Sequence, residues 1–223
     1  MIWDVFPYWC EAWAVRARLR LWAGVDGYAP VALVGDRTHR GAPLPAPELP
    51  EGVQAVAVTL DAGGNWEREQ QQRDAVRSLP MAADDLLLLC DADELVDPAA
   101  LPAIRAATES GPVKLRMALY CAGTRWRHRD PWRHAAACRA RDLPDRPSEQ
   151  LRLNFGLPKV DAAGWHLTYL GSDDDVDAKL SAFAHEECDT AEYRAAVARL
   201  RAEGSGWLDE PLTGPLADLL VAA

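Results

Sequence analysis

The chain has 223 residues, of which 49% are hydrophobic and 26% are charged, so it is long enough to bury a core and to form one domain of ordinary size. Its net charge of −10 argues against general nucleic-acid binding, and no apolar run approaches the roughly 18 residues that a membrane span needs. The N-terminus has no secretory signal pattern and the five cysteines form no CxxC pair, so we expect a cytoplasmic protein without a zinc site or a disulfide framework.

Predicted strands and helices alternate along the chain. In chain order they are strand 2–6, helix 11–24, strand 28–35, strand 53–60, helix 65–79, strand 84–90, helix 98–110, strand 113–120, strand 164–171 and helix 173–187. We expect Pro7 to end the first strand, Pro30 to lie at a strand start or a sheet edge, and Asn65 to cap its helix. This order predicts an α/β fold with a mostly parallel central sheet flanked by helices.

Three carboxylates follow the apolar strand 84–90. Asp91, Asp93 and Glu94 come directly after four leucines and a cysteine, at a strand end where open α/β sheets bind ligands. If this segment is extended, Asp91 and Asp93 lie on the same side and together can hold a divalent cation that clamps a diphosphate. The alternative is a solvated acidic turn before a helix, with Asp97 as an ordinary N-cap.

Four segments carry a resemblance to a known family. They are "WDVFPYWCE" (3–11), "NWEREQQQRDAV" (65–76), "DDLLLLCDADELVDP" (84–98) and "AGWHLTYLGSDDDVDAKLSAFAHEE" (163–187). In this order they resemble glycosyltransferase family 17, whose best-known members add a bisecting β-1,4-linked N-acetylglucosamine to N-glycans. The resemblance implies a GT-A fold (a Rossmann-like sandwich), an Mn²⁺ or Mg²⁺ ion, a UDP-sugar donor and inversion at the anomeric carbon. Residues 1–223 would then form a single domain, with a nucleotide-binding half at roughly 1–97 and an acceptor-side half at roughly 98–223.

The resemblance also suggests roles for individual residues in donor and metal binding. Asp91 and Asp93 match the metal-binding DxD signature, and His185 is a candidate third metal ligand if its helix ends near Ala182 and it lies in a loop. The candidates for donor binding are Asp4, Phe6, Asn65, Arg68, Asp91 and Lys179. The alternatives are structural: core aromatics in the first segment, a capped helix with a solvated polar face in the second, and a hydrogen-bonded structural histidine at His185.

Inverting transfer needs a carboxylate that takes the proton of the acceptor hydroxyl. The candidates are Glu94, Glu67, Asp173, Asp174 and Asp175, and the sequence does not choose among them. For contact with the sugar or the acceptor we select Trp165, His166 and Trp126. Trp126 belongs to segment 121–152, which carries eight arginines, Arg146 among them, against four acids and is either an acceptor-binding loop or a mobile surface loop.

Three features depart from the family pattern. Gly35 stands where relatives carry a glutamate, Gly171-Ser172 replaces a Gly-Gly pair, and the membrane anchor and stem of the vertebrate members do not precede the first strand. We therefore expect an acceptor other than a Golgi N-glycan: another glycan, a lipid-linked sugar, a protein or a small molecule. No nucleic-acid partner is expected.

The leading functional prediction is a metal-dependent inverting glycosyltransferase that moves a sugar, N-acetylglucosamine by resemblance, from a UDP-sugar to a hydroxyl acceptor. One alternative is a catalytically inactive relative that binds a sugar nucleotide without transfer. The other is a metal-dependent phosphoryl or nucleotidyl transferase that shares only the acidic strand end. Replacing Asp93 with alanine is expected to abolish activity and to leave the fold nearly intact.

Overall fold

The structure, a computed structural model, describes residues 1–143 and 148–221, so Arg146 lies outside the described residues. The strands of the described part are β1 (Ile2–Tyr8), β2 (Tyr28–Gly35), β3 (Gln54–Val58), β4 (Leu86–Leu89), β5 (Glu94–Val96), β6 (Val113–Leu115), β7 (Ala118–Cys121), β8 (Trp126–Arg127), β9 (Ala136–Arg139), β10 (Lys159–Val160), β11 (Gly164–Thr168) and β12 (Leu208–Asp209). The α-helices are α1 (Ala12–Leu21), α2 (Asn65–Asp74), α3 (Leu101–Thr108), α4 (Glu149–Leu153), α5 (Asp173–Ala182), α6 (Ala191–Glu203) and α7 (Pro215–Val221).

Seven strands form the larger sheet, in the order β10-β6-β9-β4-β1-β2-β3. β4, β1, β2 and β3 are parallel neighbours, β10 is parallel to β6, and β9 runs antiparallel between β4 and β6. α2 packs against β1 and β2, and α3 packs against β6, β9 and β10. The prediction of an α/β fold with a mostly parallel central sheet flanked by helices is confirmed. Because neighbouring strands are parallel, the carboxyl ends of β1, β2 and β4 meet at one edge.

The four leucines of β4 are buried because both faces of the larger sheet are covered. Leu86 and Leu88 pack into the cluster that includes α3, and Leu87 and Leu89 pack into the cluster that includes the 3₁₀ turn after α2. Side chains alternate across a strand, so a strand that is buried on both faces is apolar at every position. This burial, worth roughly 1.5–3 kcal/mol for each leucine, fixes the strand that ends at the acidic residues.

Five strands form a smaller sheet, in the order β12-β8-β7-β11-β5. β11 lies parallel to β7 and antiparallel to β5. The segment 113–120, predicted as a single strand, is divided between the two sheets, with β6 in the larger and β7 in the smaller. Between them the amide of Arg116 donates to Val160 and the amide of Met117 donates to Trp132, so the chain crosses from one sheet to the other. Alternation of apolar residues does not reveal such a crossing.

Pro7 and Asn65 do not have the boundary roles predicted for them. β1 continues through Pro7, which pairs with Leu33 of β2 after the ladder to β4 has ended at Val5. Here β1 has a neighbour on one side alone, and the missing proline N–H is tolerated. Gly64 is the N-cap of α2, and Asn65 is the first helical residue.

The acidic segment after β4 is a turn and not an extended strand. The amide of Glu94 donates to the carbonyl of Asp91, and residues 92–93 adopt turn geometry. The expectation that Asp91 and Asp93 share a side through strand alternation was therefore wrong, although both reach the same cavity. Asp97 caps the following 3₁₀ turn by accepting from Ala99, as the alternative interpretation predicted.

Helix α5 begins with a capping box and ends at Ala182, so the prediction that the helix continues to residue 187 was wrong. Ser172 accepts from the amide of Asp175, and Asp175 accepts from the amide of Ser172. Because α5 ends at Ala182, His185 lies in the segment that follows the helix, which is the condition under which Lys179 and His185 can face one site. Among the helices of the described residues, none is long and apolar enough to cross a bilayer.

Candidate functional site

A cavity of about 460 Å³ opens beyond the carboxyl ends of β1, β2 and β4. Tyr8, Gly35, Asp91 and Asp93 line it from these strand ends, and His166 of β11 lines it from the smaller sheet. The volume lies in the range of cavities that hold small molecules and cofactors. The cavity thus lies at the position where open α/β sheets bind ligands.

Two arginines hold Asp91. Its oxygens lie 2.6 Å from Arg73 of α2 and 2.7 Å from Arg152 of α4. Burial opposes ionisation of this carboxyl, but the two guanidinium groups outweigh it and hold its pKa well below the usual range. Asp91 is therefore a fixed anion at the cavity wall.

A lysine and a histidine hold Asp93. Oδ2 of Asp93 accepts from the Lys179 ammonium at 2.6 Å, and Oδ1 lies 3.3 Å from Nε2 of His166. Lys179 also lies 3.2 Å from Glu11 at the start of α1. Burial opposes ionisation of Asp93, yet the Lys179 ammonium and the contact with His166 hold its pKa far below the ordinary value. Its side chain is 3% exposed, so Asp93 faces the cavity from beneath Lys179.

The backbone of the acidic turn is fixed by Arg18 of α1. One guanidinium nitrogen donates to the carbonyls of Asp91, Ala92 and Glu94, at 2.8, 3.1 and 2.9 Å. The other donates to both oxygens of Asp4, at 2.7 and 2.6 Å. Arg18 is completely buried, so it pins the turn to the first strand and the first helix.

Asp4 and Phe6, expected at the nucleotide, are fully buried and do not line the cavity. Both oxygens of Asp4 are used by Arg18, and one also accepts from the Tyr28 hydroxyl at 2.6 Å. The central carbon of the Arg18 guanidinium lies over the Phe6 ring, 4.4 Å from the ring centroid. The geometry gives both residues a role in holding Arg18.

Glu94 is buried behind the turn. It accepts from Arg152 at 2.8 Å and from the Trp132 indole, and it is inaccessible to solvent. It does not line the cavity. Removing it would leave Arg152 poorly paired, so Glu94 supports Asp91 indirectly.

The other carboxylates predicted as bases also lie away from the cavity wall. Glu67 is exposed on the first turn of α2, and Asp174 is exposed on the first turn of α5. Asp173 pairs with Arg201, and Asp175 belongs to the capping box of α5. The carboxylates that do line the cavity, in the described part of the chain, are Glu11, Glu69, Asp91 and Asp93, and each is paired with a cation.

Asn65 and Arg68, in the segment 65–76, do not line the cavity but bond to segments that do. Asn65 donates to Glu186 at 2.6 Å, and Arg68 donates to the carbonyls of His39 and Gly63. They tie α2 to the loop after β2 and to the segment after α5. His39, which was not predicted, lines the cavity, and burial lowers its pKa.

The predicted acceptor residues are separated. His166 lines the cavity, and its ring packs 4.2 Å from that of Trp132, which also lines it. Trp165 points to the other face of β11, into the cluster around Leu167. Trp126 lies outside the cavity, where its indole donates to the carbonyl of Arg201.

His185 lines the cavity but does not group with the acid pair. Its Nδ1 lies 2.6 Å from Glu187, and its ring meets the Trp66 ring edge to face at 4.5 Å. Ligand atoms of His185, Glu187 and Cys188 lie within 4.8 Å of one another. Over the described ranges this is the one such group of three, and it contains neither Asp91 nor Asp93.

The charge around Asp91 and Asp93 fits a divalent cation. Carboxylates outnumber arginines and lysines in both groups of ion pairs. Around Asp91, Arg73 and Arg152 pair with Glu69, Asp91, Glu94 and Glu149, and around Asp93, Lys179 pairs with Glu11 and Asp93. Carboxylate oxygens are the ligands that Mg²⁺ and Mn²⁺ prefer. Each oxygen of Asp91 and Asp93 already accepts from a cationic donor or a histidine, so an ion must share or displace such a donor.

Sequence reasoning missed Arg73, Arg152 and Arg18 as partners of the acidic turn. Arg73 lies within the segment 65–76 and Arg152 ends the arginine-rich segment, but neither position stands out among 21 arginines. The available signal was the local excess of acid itself, because buried carboxylates need cationic partners.

At Gly35, where the family that the sequence resembles carries glutamate, a side chain would force a neighbour to shift. A Cβ there would lie 2.6 Å from Cδ1 of Leu60 and 3.0 Å from the carbonyl oxygen of Arg37. The neighbouring Asp36 accepts from Arg37 and from the amide of Leu60, and it does not line the cavity. Asp36 therefore does not take the place of a cavity glutamate.

Comparisons with known proteins leave the family open. No family model and no curated protein matches the chain. Among solved structures, the 2-C-methyl-D-erythritol 4-phosphate cytidylyltransferase of Francisella tularensis is similar over 80% of this chain and 98% of its own, with 12% identity and a TM-score of 0.42. Similarity at this level supports no statement about activity, so the function is argued from the site.

Proposed function

We propose that the protein is a metal-assisted transferase that uses a nucleotide-activated donor, and that it transfers a sugar from a UDP-sugar to a hydroxyl acceptor. One observation carries the proposal: Asp91 and Asp93 line a cavity of about 460 Å³ at the carboxyl ends of parallel strands, beside cationic side chains. The choice of a sugar as the transferred group rests on the four segments that resemble glycosyltransferase family 17.

Asp91 and Asp93 would hold Mn²⁺ or Mg²⁺, which neutralises a diphosphate and stabilises the departing nucleotide when bound. Arg73 keeps Asp91 ionised, and Lys179 is the cationic side chain nearest to Asp93. The donor would draw on residues from both halves of the chain, because Asp91 and Asp93 belong to residues 1–97 and Lys179 and His166 to residues 98–223.

For glycosyl transfer we assign the proton acceptor to His166. Its Nε2 faces Asp93, which favours the tautomer with the proton on Nε2. Its Nδ1 is buried and has no hydrogen-bond partner among the described residues, so an acceptor hydroxyl would reach it only after a neighbouring side chain such as Trp132 has moved. The proposal is supported by the position of His166, which lines the cavity, whereas Glu67, Glu94, Asp173 and Asp174 do not. Nδ1 would take the proton of the acceptor hydroxyl as that oxygen attacks the anomeric carbon.

Calorimetric titration tests donor binding. UDP-N-acetylglucosamine, UDP-glucose, UDP-galactose and GDP-mannose are each titrated with Mn²⁺ and with EDTA. We expect one UDP-sugar to bind, and to bind more tightly with Mn²⁺. If none of the four binds under either condition, the proposal of UDP-sugar transfer is wrong.

A variant pair tests the role of His166. His166→Asn is expected to lower the rate of transfer, or of slow donor hydrolysis by water, by about 10²–10⁴-fold while donor affinity changes little. His128→Asn, outside the cavity, is the matched control. Equal rates for His166→Asn and the wild type would remove His166 as the base.

Nucleotidyl transfer is a second candidate, favoured by a specific feature of the cavity. Each cavity-lining carboxylate in the described residues is paired with a cation, so no free carboxylate base faces the substrate. A phosphate nucleophile is already an anion and needs no base: its oxygen attacks the α-phosphorus of a nucleoside triphosphate, and pyrophosphate leaves.

Product analysis separates the two reactions. Incubation with the UDP-sugar panel and with the four nucleoside triphosphates, each with Mg²⁺ or Mn²⁺, is followed by quantification of UDP or GDP and of pyrophosphate. Nucleoside diphosphate release from a sugar nucleotide supports glycosyl transfer. Pyrophosphate release that requires a phosphorylated acceptor supports nucleotidyl transfer and contradicts the first proposal.

A further inference from the structure

Lys179 occupies the cavity side of Asp93. Its ammonium lies 2.6 Å from Oδ2 of Asp93, 3.2 Å from Glu11 and 6.0 Å from the centre of the Tyr169 ring. The Lys179 side chain is 20% exposed, whereas that of Asp93 is 3% exposed. With His166 on Oδ1, both oxygens of Asp93 are in use, and little of the carboxylate remains open to a ligand in the cavity.

The cations around Asp91 and Asp93 differ in how firmly they are held. Arg152 is 4% exposed and also bonds Glu94 and the carbonyl of Leu89, so its displacement would break several buried bonds. Lys179 is a single point charge on a flexible four-carbon chain, and it lies at the cavity surface. Arg73, the other cation on Asp91, also pairs with Glu69 and Glu149 and is 10% exposed. Asp93 is therefore the position whose cationic partner, Lys179, is the more exposed and has fewer ion pairs.

We propose that the Lys179 ammonium occupies the cation position on Asp93 and is displaced from it when a divalent ion binds. The inference rests on the proposed function, in which Asp93 is a ligand of that ion. Lys179 is then a built-in competitor of the metal. Before the ion arrives it keeps a buried carboxylate paired, and afterwards its ammonium, which also pairs with Glu11, can turn to the phosphates of the donor.

This exchange lowers the affinity of the protein for the divalent ion when no donor is bound. An ion that binds Asp93 must first break the contact between Lys179 and Oδ2, so this contact lowers the observed affinity. Removing the ammonium removes the competitor. A cation elsewhere on the cavity wall repels the ion through space but does not compete for an oxygen of Asp93, so the two effects can be distinguished.

Titration of Mn²⁺ alone, monitored by electron paramagnetic resonance of the free ion, tests the competition. Lys179→Met is expected to bind Mn²⁺ about tenfold more tightly than the wild type, or tighter still. Arg37→Met removes a positive charge from the cavity wall without touching Asp93, and it is expected to change the affinity by less than about threefold. Equal effects of the two variants, or weaker binding by Lys179→Met, would overturn the inference.

Acetylation of the wild-type protein tests the displacement without any substitution. The chain has three lysines, and mass spectrometry can follow the modification of each. Lys159 is exposed and serves as the reactive control, while Lys114 is 1% exposed and serves as the protected control. We expect Mn²⁺ to accelerate acetylation of Lys179 severalfold and to leave the ratio of the other two unchanged. Acetylation of Lys179 that stays constant or slows with Mn²⁺ contradicts displacement.

Failure of the inference can be told apart from failure of the proposed function. Donor binding that needs Mn²⁺, together with unchanged Lys179 labelling, would leave the function standing and overturn the exchange. If neither Mn²⁺ nor any sugar nucleotide binds, both are overturned. Circular dichroism of Lys179→Met reports whether the variant folds, and the acetylation experiment decides the inference if it does not.

Discussion

Arg18 is the side chain on which the shape of the acidic turn depends. It joins Asp4 of β1 to the carbonyls of Asp91, Ala92 and Glu94, and it is completely buried. Burying a guanidinium is unfavourable unless its partners surround it, and here a carboxylate and three carbonyl groups do so. The position of Asp91 and Asp93 is therefore set from α1, some 73 residues earlier in the chain.

Replacing Arg18 with methionine should destabilise the protein by about 3–5 kcal/mol, because Asp4 would keep a buried charge without its guanidinium partner. Urea denaturation measures the loss. Arg16→Met, an exposed position on the same helix, is the matched control and should change stability by less than about 0.5 kcal/mol. Equal stabilities of the two variants would show that Arg18 does not anchor the turn.

Burial changes what should be expected of Asp93 variants. With Asp93 paired to Lys179 and His166, its removal leaves Lys179 with Glu11 alone. We expect Asp93→Asn to abolish metal-dependent donor binding and to lower the free energy of unfolding by about 1–3 kcal/mol. Calorimetry with Mn²⁺ and thermal unfolding measure the two effects. Donor binding of wild-type strength in this variant would remove Asp93 from the site.

At the scale of elements, side-chain hydrogen bonds join the N-terminal ends of β1 and β4. Asp85, just before β4, accepts from the amino group of Met1 at 2.6 Å, from the Trp3 indole at 2.8 Å and from the amide of Ala82 at 2.9 Å. The bonds from Met1 and Trp3 lower the pKa of the Asp85 carboxyl from 3.8 to about 2. This group supports the parallel register that carries both strands to the cavity edge.

The lowered pKa predicts a contribution to stability that depends on pH. A carboxyl with a pKa lower in the folded than in the unfolded protein stabilises the fold above its unfolded pKa, and this contribution is lost as pH falls from about 4 towards 2. Asp85→Asn should therefore be less stable than the wild type at pH 7, by about 1–3 kcal/mol, and the difference should shrink below pH 4. Urea denaturation across pH 2–7 provides the measurement, with the exposed Asp84→Asn as control. A difference that is constant over this range would contradict the assignment.

At the scale of the whole molecule, the cavity joins residues that the two sheets supply separately. The larger sheet provides the acidic turn after β4, and the smaller sheet provides His166 of β11. α5 follows β11 and carries Lys179 to the turn. Because the cavity-lining residues come from both sheets, a bound donor would contact both sheets and stabilise their packing.

Ligand binding should therefore raise the unfolding temperature. A UDP-sugar with Mn²⁺ at about 100 times its Kd stabilises the native state by about 2.7 kcal/mol, which for a chain of this size is roughly 5–10 °C. Differential scanning fluorimetry compares the donor with Mn²⁺, the donor with EDTA, and Mn²⁺ alone. No shift with any donor under saturating conditions would count against the proposed function.

The sequence by itself determined the class of fold and the location of the acidic site. Apolar runs, helical spacing and the order of the elements predicted the α/β fold, because burial of a strand or a helix leaves a periodic pattern. The four leucines predicted a strand buried on both faces, and the acids after them predicted a functional strand end. The capping residue Asp97 was also predicted, because caps depend on neighbouring residues, whereas the end of α5 at Ala182 was not.

Tertiary structure alone decided which side chains face the cavity. The partners of Asp91 come from α2 and α4, and Lys179 reaches Asp93 across 86 residues of chain. It also decided that segment 113–120 serves two sheets, and that Glu94 and Asp4 are enclosed while His39 and Trp132 face the cavity. Such outcomes depend on how distant segments pack, and periodicity along one segment carries no information about the partner that will cover it.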